Sequence, residues 1–417
     1  IRDRDQRALS DAQMNSTNTL YDALGPVLGK YYKDAADAGK LPKTAQFLSD
    51  MNKSASTGVA KATYQHPRPY VDRVNFNGTT LNMNGLKQTL NIKKVPGYEN
   101  FDWGDGEAPD NEYDGLYNSG SFPSGHTTFA FTQGAGLAYL LPELGPEIMT
   151  RVSEAGNNRI VLGVHYPLDI MGGHIAGQYG VATAVSGEKT AQEGAAARAE
   201  LVDYLTAQCK ADNHGDTLDA CITNTGANAA NGYRNDFTDE VSTKPVTDRA
   251  SALAAYKARM TYGFQATGTT GQAPVVPDSA VRMFDNVAAF KSLDSAQKKA
   301  VLAATEGDSG YPLDASSQGW ARVNLAAAYS AKVTLSADGK NVVKVEPGQA
   351  QASVVRETSG SNGNNGGNGN GGSNAGNTGV NNASGRNPSG TQPLSKTGAD
   401  VSGIASAFIL ILSLIHI

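Results

Sequence analysis

The chain has 417 residues, of which 18% are charged, and its formal net charge at neutral pH is −5. This balance provides no basic surface of the kind that nucleic-acid-binding proteins carry. No apolar run before residue 404 reaches the roughly 20 residues that a membrane span needs, which argues against an integral-membrane protein. The chain starts at Ile1 with neither Met nor a basic-then-apolar leader, which suggests a removed secretion signal or a fragment.

Residues 1–60 have the apolar spacing of amphipathic helices. We expect these helices to pack against the rest of the core and to brace Lys61. Lys61 and Arg68 are seven residues apart, which is nearly two helical turns. Both side chains therefore point the same way if the helix continues almost to Pro67.

Residues 74–120 break the helical pattern and form a predicted insertion rich in Asn, Gly and Asp, with a few possible short strands. Six carboxylates lie between residues 102 and 114. Such runs are usually solvated loops, and this is the interpretation that we favour. A calcium site and a lid over a pocket are the alternatives, although the spacing does not fit an EF-hand loop.

Two predicted helices each carry a histidine near their start. Pro123 precedes a long apolar-periodic run, which places His126 in the first turn of that helix. Pro167 suits the first turn of the next helix, so His165 lies just before it and Asp169 about one turn in. First-turn amides have no partner within their helix and lie at its positive end. Two such ends that face each other would form a pocket for an anion.

The side chains at these positions suit covalent catalysis. Asp169, at the third helical position, can reach back to Nδ1 of His165 as in a capping box. This contact would leave the lone pair of Nε2 directed into the pocket, which makes His165 a candidate nucleophile. His126 remains free to give a proton to a leaving oxygen. Arg159 adds a permanent planar cation suited to bidentate contact with phosphate.

These blocks, in this order, resemble the signature of the type 2 phosphatidic acid phosphatase superfamily, which includes bacterial non-specific acid phosphatases and the vanadium haloperoxidases. The matching positions are Lys61, Arg68-Pro69, Pro123 to His126, Arg159, His165 and Asp169. Asn158 stands where the family usually has Ser, and Asn still offers a donor to a phosphate oxygen. The resemblance covers residues 1 to about 335 and implies an all-α helical bundle of the acid phosphatase/vanadium haloperoxidase type.

The predicted helix that contains Asp169 also has a small-residue face, with Gly172, Gly173, Gly177 and Gly180. Gly inside a helix costs roughly 1 kcal/mol relative to Ala, so four of them indicate a demand for close helix packing. We interpret His174 on this helix, and His66 upstream, as structural histidines rather than as groups that support the site.

Cys209 and Cys221 are the only cysteines and are close in sequence. In a secreted chain such a pair predicts one disulfide, here around the loop that contains His214. A free-thiol nucleophile has no base nearby in sequence. A metal site is the weaker alternative, because one His and two Cys make a poor tetrahedral set.

Helical patterning returns over residues 247–335. The predicted helices are Ala252–Met260, Ala280–Phe290, Ala296–Ala304 and Trp320–Val333. Asp294 and Ser295 are candidate N-caps for the third of these. Residues 334–348 predict a short hairpin around Asp338-Gly339.

The composition changes after residue 350. From 359 to 393, 21 of 35 residues are Asn or Gly, a composition that cannot bury a core. Next come Leu-Ser-Lys-Thr-Gly at 394–398 and an apolar run at 404–417. This order resembles the signal that sortases cleave, here between Thr397 and Gly398, to link proteins to the Gram-positive cell wall. It implies sortase and peptidoglycan as partners and an extracellular location, with a permanent membrane tail as the less favoured alternative.

The sequence thus predicts a phosphatase-like helical domain at 1–350 with insertions at 74–120 and 205–245, a disordered linker at 351–393, and a wall-sorting signal at 394–417. The resemblance implies hydrolysis of phosphate monoesters. The groups expected to hold the anion are Lys61, Arg68, Arg159 and the first-turn amides near Ser124 and Gly125. His165 would attack phosphorus, Asp169 would stabilise the charge on its ring, and His126 would protonate the leaving alkoxide and later activate water.

We expect no metal or other cofactor, because the cations supply the electrostatic stabilisation that a metal would give. The main alternative is a vanadium-dependent haloperoxidase, in which vanadate would be fixed to His165. An integral-membrane lipid phosphatase is disfavoured because this chain has no apolar spans of the required length before residue 404. A non-catalytic adhesin would not need an intact set of polar site residues. No residue is an obvious helper for peroxide, so the phosphatase is favoured, with a phosphate ester as substrate. The sequence leaves the ester and the oligomeric state open.

Overall fold

The computed structural model describes residues 3–98, 112–238, 244–314 and 317–358. These residues are mostly α-helical, as predicted, and end in a small three-stranded sheet. The α-helices are α1 (Asp3–Ala12), α2 (Ser16–Leu20), α3 (Gly25–Asp37), α4 (Pro42–Asn52), α5 (Gly58–Tyr64), α6 (Glu112–Gly115), α7 (Gly125–Leu140), α8 (Gly145–Val161), α9 (Pro167–Ala184), α10 (Glu188–Ala211), α11 (Leu218–Thr225), α12 (Arg249–Thr261), α13 (Ser295–Thr305) and α14 (Leu325–Tyr329). Short 3₁₀ helices occupy Tyr21–Leu24, Pro142–Leu144, Asp278–Phe284 and Ala288–Ser292, and the strands are β1 (Lys332–Leu335), β2 (Val342–Glu346) and β3 (Ser353–Arg356).

Helix α7 lies at the centre of the bundle and packs against both α8 and α9. From Thr127 to Leu140 every residue of α7 except Phe129 is buried, as expected for a helix that other helices enclose on all sides. The N-terminal helices pack around this centre, with α4 against α7 and α1 against α8. Within the described residues, no helix combines the length and the apolar character needed to cross a bilayer.

The small-residue face of α9 sets its distance from α7. A Cβ added at Gly173 would lie 2.8 Å from the carbonyl oxygen of Ser124, and one at Gly177 would lie 2.5 Å from Cβ of Phe131. Larger side chains would therefore push the two helices apart. This close approach brings the first turn of α9 next to the first turn of α7.

Two predicted helices are wrong in type or extent. The segment Ala280–Phe290 forms parts of two 3₁₀ helices instead of one α-helix. Within Trp320–Val333 only α14 is α-helical. It begins late because Oδ1 of Asn324 accepts the backbone N–H of Ala327 and caps it there. The described residues of the segment 74–120 contain no strand.

The predicted hairpin after residue 334 is present. Strand β1 pairs antiparallel with β2, and Gly339 takes the left-handed conformation in the turn between them. Strand β3, which the sequence did not predict, pairs parallel with the other edge of β1. Because β3 lies beyond residue 350, the folded domain extends further than predicted and a linker cannot start at 351. The segment 205–211, predicted to begin an insertion, belongs to α10.

Cys209 of α10 and Cys221 of α11 form a disulfide, with their Cα atoms 5.9 Å apart. It closes the loop around His214, whose backbone N–H donates to the carbonyl oxygen of Cys209 at 2.7 Å. Both cysteines are fully buried, and their bond links α10 to α11. The predicted linker from 359 onward, the sorting signal with Thr397 and Gly398, and the acidic residues 102–111 lie outside the described residues.

Candidate active site

The first turns of α7 and α9 meet at one point of the bundle. Oγ of Ser124 caps α7 by accepting the backbone N–H of Thr127 at 3.2 Å. The backbone N–H of Ser124 donates to the carbonyl oxygen of Asp169 at 3.0 Å. This bond fixes the positive end of α7, with Gly125 in its first turn, beside the residues that begin α9.

His165 and Asp169 form a buried pair. Nδ1 of His165 lies 3.0 Å from Oδ2 of Asp169, and the same oxygen accepts the N–H of Tyr166 at 2.9 Å. The carboxylate therefore both caps α9 and orients the imidazole, as its place at the third helical position predicts. Nη1 of Arg68 lies 3.0 Å from Nε2 of His165. Because a guanidinium only donates, Nε2 is the acceptor and carries the lone pair, so the proton of His165 is on Nδ1.

The side chains of Lys61 and Arg68 approach the same carbonyl oxygen, but they do not lie on one continuous helix as expected. Helix α5 ends before Gln65, which takes a left-handed conformation with φ of 46°. Pro67 lacks an N–H and disfavours helix in the residue before it, so the helix cannot continue as expected. Even so, Nζ of Lys61 donates to the carbonyl oxygen of Gly120, and Nη2 of Arg68 lies 3.4 Å from that same oxygen.

Arg159, in the last turn of α8, is only 1% exposed. Its Nη2 donates to the hydroxyl of Tyr98 at 2.7 Å, a contact that the sequence did not predict. Among the described residues its Nε and Nη1 have no hydrogen-bond partner, and neither does Nε of Arg68. Buried donors of a charged group are expensive to leave unpaired, so these atoms indicate a place built for an anion.

The cations of this cradle (Lys61, Arg68, Arg159) affect one another. Burial, with Arg68 and Arg159 adding to it and Asp169 opposing it, lowers the pKa of Lys61 to about 7. Burial and the charge of Arg159 also lower the pKa of Arg68. Concentrated positive charge of this kind attracts a dianion such as phosphate, which would in turn favour the protonated form of Lys61.

His126 lies in the first turn of α7, where predicted. Its Nε2 is 3.1 Å from the carbonyl oxygen of Ala12 at the end of α1, so Nε2 carries the proton. Burial and Arg159 hold the pKa of His126 well below its ordinary value, while the bond to Ala12 opposes them. In the protein without a bound anion, the lowered pKa favours the neutral form of His126 over the imidazolium. A phosphate dianion in the cradle would raise this pKa by offsetting the neighbouring cations.

Asn158 and His174 have partners outside the cradle. Nδ2 of Asn158 donates to Asp11 at 2.7 Å, so this side chain is not directed to a phosphate oxygen as expected. Asp11 also binds Arg151. Because this carboxylate is buried, it needs several hydrogen-bond donors, and Asn158 supplies one of them. Nε2 of His174 lies 2.8 Å from the hydroxyl of Tyr256, in keeping with a structural role.

Among the described residues, no group of three or more His, Cys, Asp or Glu side chains could hold a metal ion. Most of the acidic cluster lies outside these residues, so the calcium site and the lid remain predictions. The elements that do meet are two helix N-termini, three cations and a His–Asp pair. This arrangement is a candidate anion-binding site, in which the lone pair of Nε2 of His165 lies beside the Arg68 guanidinium.

Comparisons with known proteins agree with this description. Residues 45–191, which contain all three sequence blocks, match the PAP2 superfamily, and the described residues are mostly helical. A 62-residue stretch is 40% identical to an acid phosphatase of Zymomonas mobilis subsp. mobilis, covering 15% of this chain and 24% of that protein. A 187-residue stretch is 27% identical to a non-specific acid phosphatase of Providencia stuartii, covering 43% of this chain and 60% of that protein. The chain thus spans less than two thirds of the length of either relative, and the matches support the superfamily.

Proposed function

We propose that this protein is a phosphatase that hydrolyses phosphate monoesters through a phosphohistidine on His165. The observation that carries the proposal is the geometry around Nε2 of His165. Asp169 holds the far side of the ring, and Nη1 of Arg68 lies 3.0 Å from the lone pair of Nε2. A phosphate oxygen that accepted this Arg68 donor would bring its phosphorus close to Nε2. Two acid phosphatases among the similar proteins add support.

In the first step, the ester phosphate accepts hydrogen bonds from the cradle and from the amides at the start of α7. Nε2 of His165 forms a bond to phosphorus while the bond from phosphorus to the leaving oxygen breaks, and His126 gives that oxygen a proton. Asp169 stabilises the positive charge that the ring of His165 acquires. The cations hold the charge on the equatorial oxygens through the transition state.

In the second step, a water molecule attacks phosphorus and gives a proton to His126. The bond from phosphorus to Nε2 breaks, which releases inorganic phosphate and restores both histidines. His126 suits both steps, because its neutral form is the favoured one in the protein and a bound dianion favours its protonated form.

Replacement of the nucleophile tests this proposal. In excess EDTA, the full chain should hydrolyse aryl and alkyl phosphates, and His165→Ala should reduce kcat by about four orders of magnitude or more. Acid-quenched wild type should contain an acid-labile phosphoenzyme. His214→Ala is the matched control, since His214 lies in the disulfide loop and should leave kcat unchanged.

The alternative, a vanadium haloperoxidase, gives the opposite result. The EDTA-treated protein would be inert toward every monoester, yet it would brominate a dye when supplied with vanadate, peroxide and bromide. A wild type that turns over monoesters without any phosphoenzyme would instead overturn the covalent route alone.

We further propose that the phosphatase is secreted and linked to a Gram-positive cell wall through cleavage between Thr397 and Gly398. The Asn/Gly-rich segment, the Leu-Ser-Lys-Thr-Gly motif and the following apolar run support this proposal by their order. Expression in a Gram-positive host with and without its sortase tests it. Mass spectrometry of wall-released protein should find a chain that ends at Thr397, and release of an uncleaved chain from both hosts would contradict the proposal.

A further inference from the structure

A third histidine, His66, is linked to the His165–Asp169 pair through Ser121. Nδ1 of His66 is 3.0 Å from Oγ of Ser121, and this Oγ is 3.4 Å from Oδ1 of Asp169. The other carboxylate oxygen, Oδ2, lies 3.0 Å from Nδ1 of His165. These four side chains therefore form one continuous hydrogen-bonded chain that ends at the proposed nucleophile.

Chemistry fixes the direction of donation along this chain. An ionised carboxylate only accepts, so the hydroxyl of Ser121 donates to Asp169 and its oxygen accepts Nδ1–H of His66. Ser121 is fully buried, and its backbone N–H donates to the carbonyl oxygen of His66 at 2.8 Å. Main-chain and side-chain bonds thus hold the two residues together and aim the hydroxyl at Asp169.

We propose that His66 is a positioning residue for phosphoryl transfer, which orients the Ser121 hydroxyl so that Asp169 remains an acceptor for Nδ1–H of His165. This inference rests on the proposed function and deepens it. It gives a role to His66, which lies between Lys61 and Arg68 in the sequence and donates to Ser121.

The groups around Asp169 show why the hydrogen bond from Ser121 is important for keeping this carboxylate ionised. Burial raises the pKa of Asp169 to about 7, and Arg68, Lys61 and the Ser121 hydrogen bond oppose that rise. The two cations are also expected to bind the substrate phosphate, which would weaken their effect on Asp169. Ser121 does not have to contact the phosphate, so its effect persists in the enzyme–substrate complex.

The groups that face this chain from other elements act on its two ends. Burial lowers the pKa of His66, as does Arg73, while a backbone bond at Pro67 opposes them. Burial, Arg68, Lys61, Arg159 and His126 all lower the pKa of His165. The lowered pKa favours the neutral form of His66, which donates to Ser121 through Nδ1, and the protonated form would donate in the same way.

A set of variants with pH profiles tests the proposal. Loss of the Ser121 donor should raise the pKa of Asp169, so activity that needs ionised Asp169 should be lost at higher pH than in the wild type. For Ser121→Ala and His66→Leu, the acid limb of the kcat profile should move up by about one pH unit, which is about tenfold in kcat at acidic pH. KM should change by less than about twofold, and activity should recover above neutral pH.

His66→Asn keeps an N–H donor near the position of Nδ1 and should restore the wild-type limb. His214→Leu makes the same His-to-Leu change away from the site and should leave the profile unmoved. A His66→Leu profile that matches the wild type, or one lowered equally at every pH, would overturn the proposal.

A measurement without substrate separates this inference from the proposed function. In ¹⁵N-histidine NMR spectra, neutral His66 should be the Nδ1–H tautomer, and His165 should also carry its proton on Nδ1. If His66 is the Nε2–H tautomer, the positioning role is wrong even for an active phosphatase. If the wild type hydrolyses no monoester at any pH, the proposed function fails, and with it the role of this chain in phosphoryl transfer.

Discussion

Different acceptors hold the two histidines of the site, and this difference separates their roles. Nδ1 of His165 faces the carboxylate of Asp169, which can compensate a positive charge on the ring. Nε2 of His126 faces the neutral carbonyl oxygen of Ala12, which orients the ring but adds no full negative charge. A phosphorylated ring is positively charged, so His165 is the better placed of the two to carry the phosphoryl group.

If His126 is the proton donor to the leaving oxygen, its removal should affect substrates unequally. His126→Ala should reduce kcat/KM about 10²- to 10⁴-fold for alkyl phosphates, whose leaving oxygen needs a proton. Phosphates of acidic phenols should lose far less, because a stable phenolate can leave unprotonated. The measurement is kcat/KM across a series of leaving groups of increasing pKa. Equal losses across the series would show that His126 serves the structure instead.

The sequence predicted the starts of α7 and α9 because prolines and caps act locally. It did not predict how Lys61 and Arg68 meet, since α5 ends before Gln65, which takes a left-handed conformation. It also missed the partner of Arg159, because Tyr98 lies 61 positions away in sequence and only the tertiary fold brings them together. Site residues whose positions depend on helix starts were thus readable from the sequence, and their supporting partners were not.

The contact between α7 and α9 sets the distance between the two halves of the site. Gly177→Ala should lower the free energy of unfolding by about 1–3 kcal/mol, because the new methyl group would lie 2.5 Å from Cβ of Phe131. The shift of α9 should also lower kcat. Gly58→Ala is the control, since its nearest contact would be 3.7 Å from Oγ of Ser56. Urea unfolding measures both variants, and equal stability of the two would show that α9 has room to move.

Segments from both ends of the described chain hold α8, which carries Arg159. Near its start, Glu147 forms a buried salt bridge with Arg249 at 2.7 Å. In its middle, Arg151 is bound by Asp11 of α1. Nη1 of Arg249 also donates to the carbonyl oxygen of Ala350 at 2.9 Å, which links α8 to the chain just before β3. The position of Arg159 thus depends on contacts that extend well beyond the matched region, residues 45–191.

This dependence predicts where the domain can be shortened. A chain that ends after Thr358 keeps β3 and the bond from the N–H of Glu357 to the carbonyl oxygen of Leu335, so its Tm should equal that of the full chain. A chain that ends after Ala350 loses the strand that pairs with one edge of β1. The loss of several ladder hydrogen bonds, each worth about 1 kcal/mol net, should lower the Tm by about 5 °C or more. Differential scanning calorimetry of the three chains measures this. Equal Tm values for the two shortened chains would show that β3 adds no stability and that the boundary expected at residue 350 was adequate.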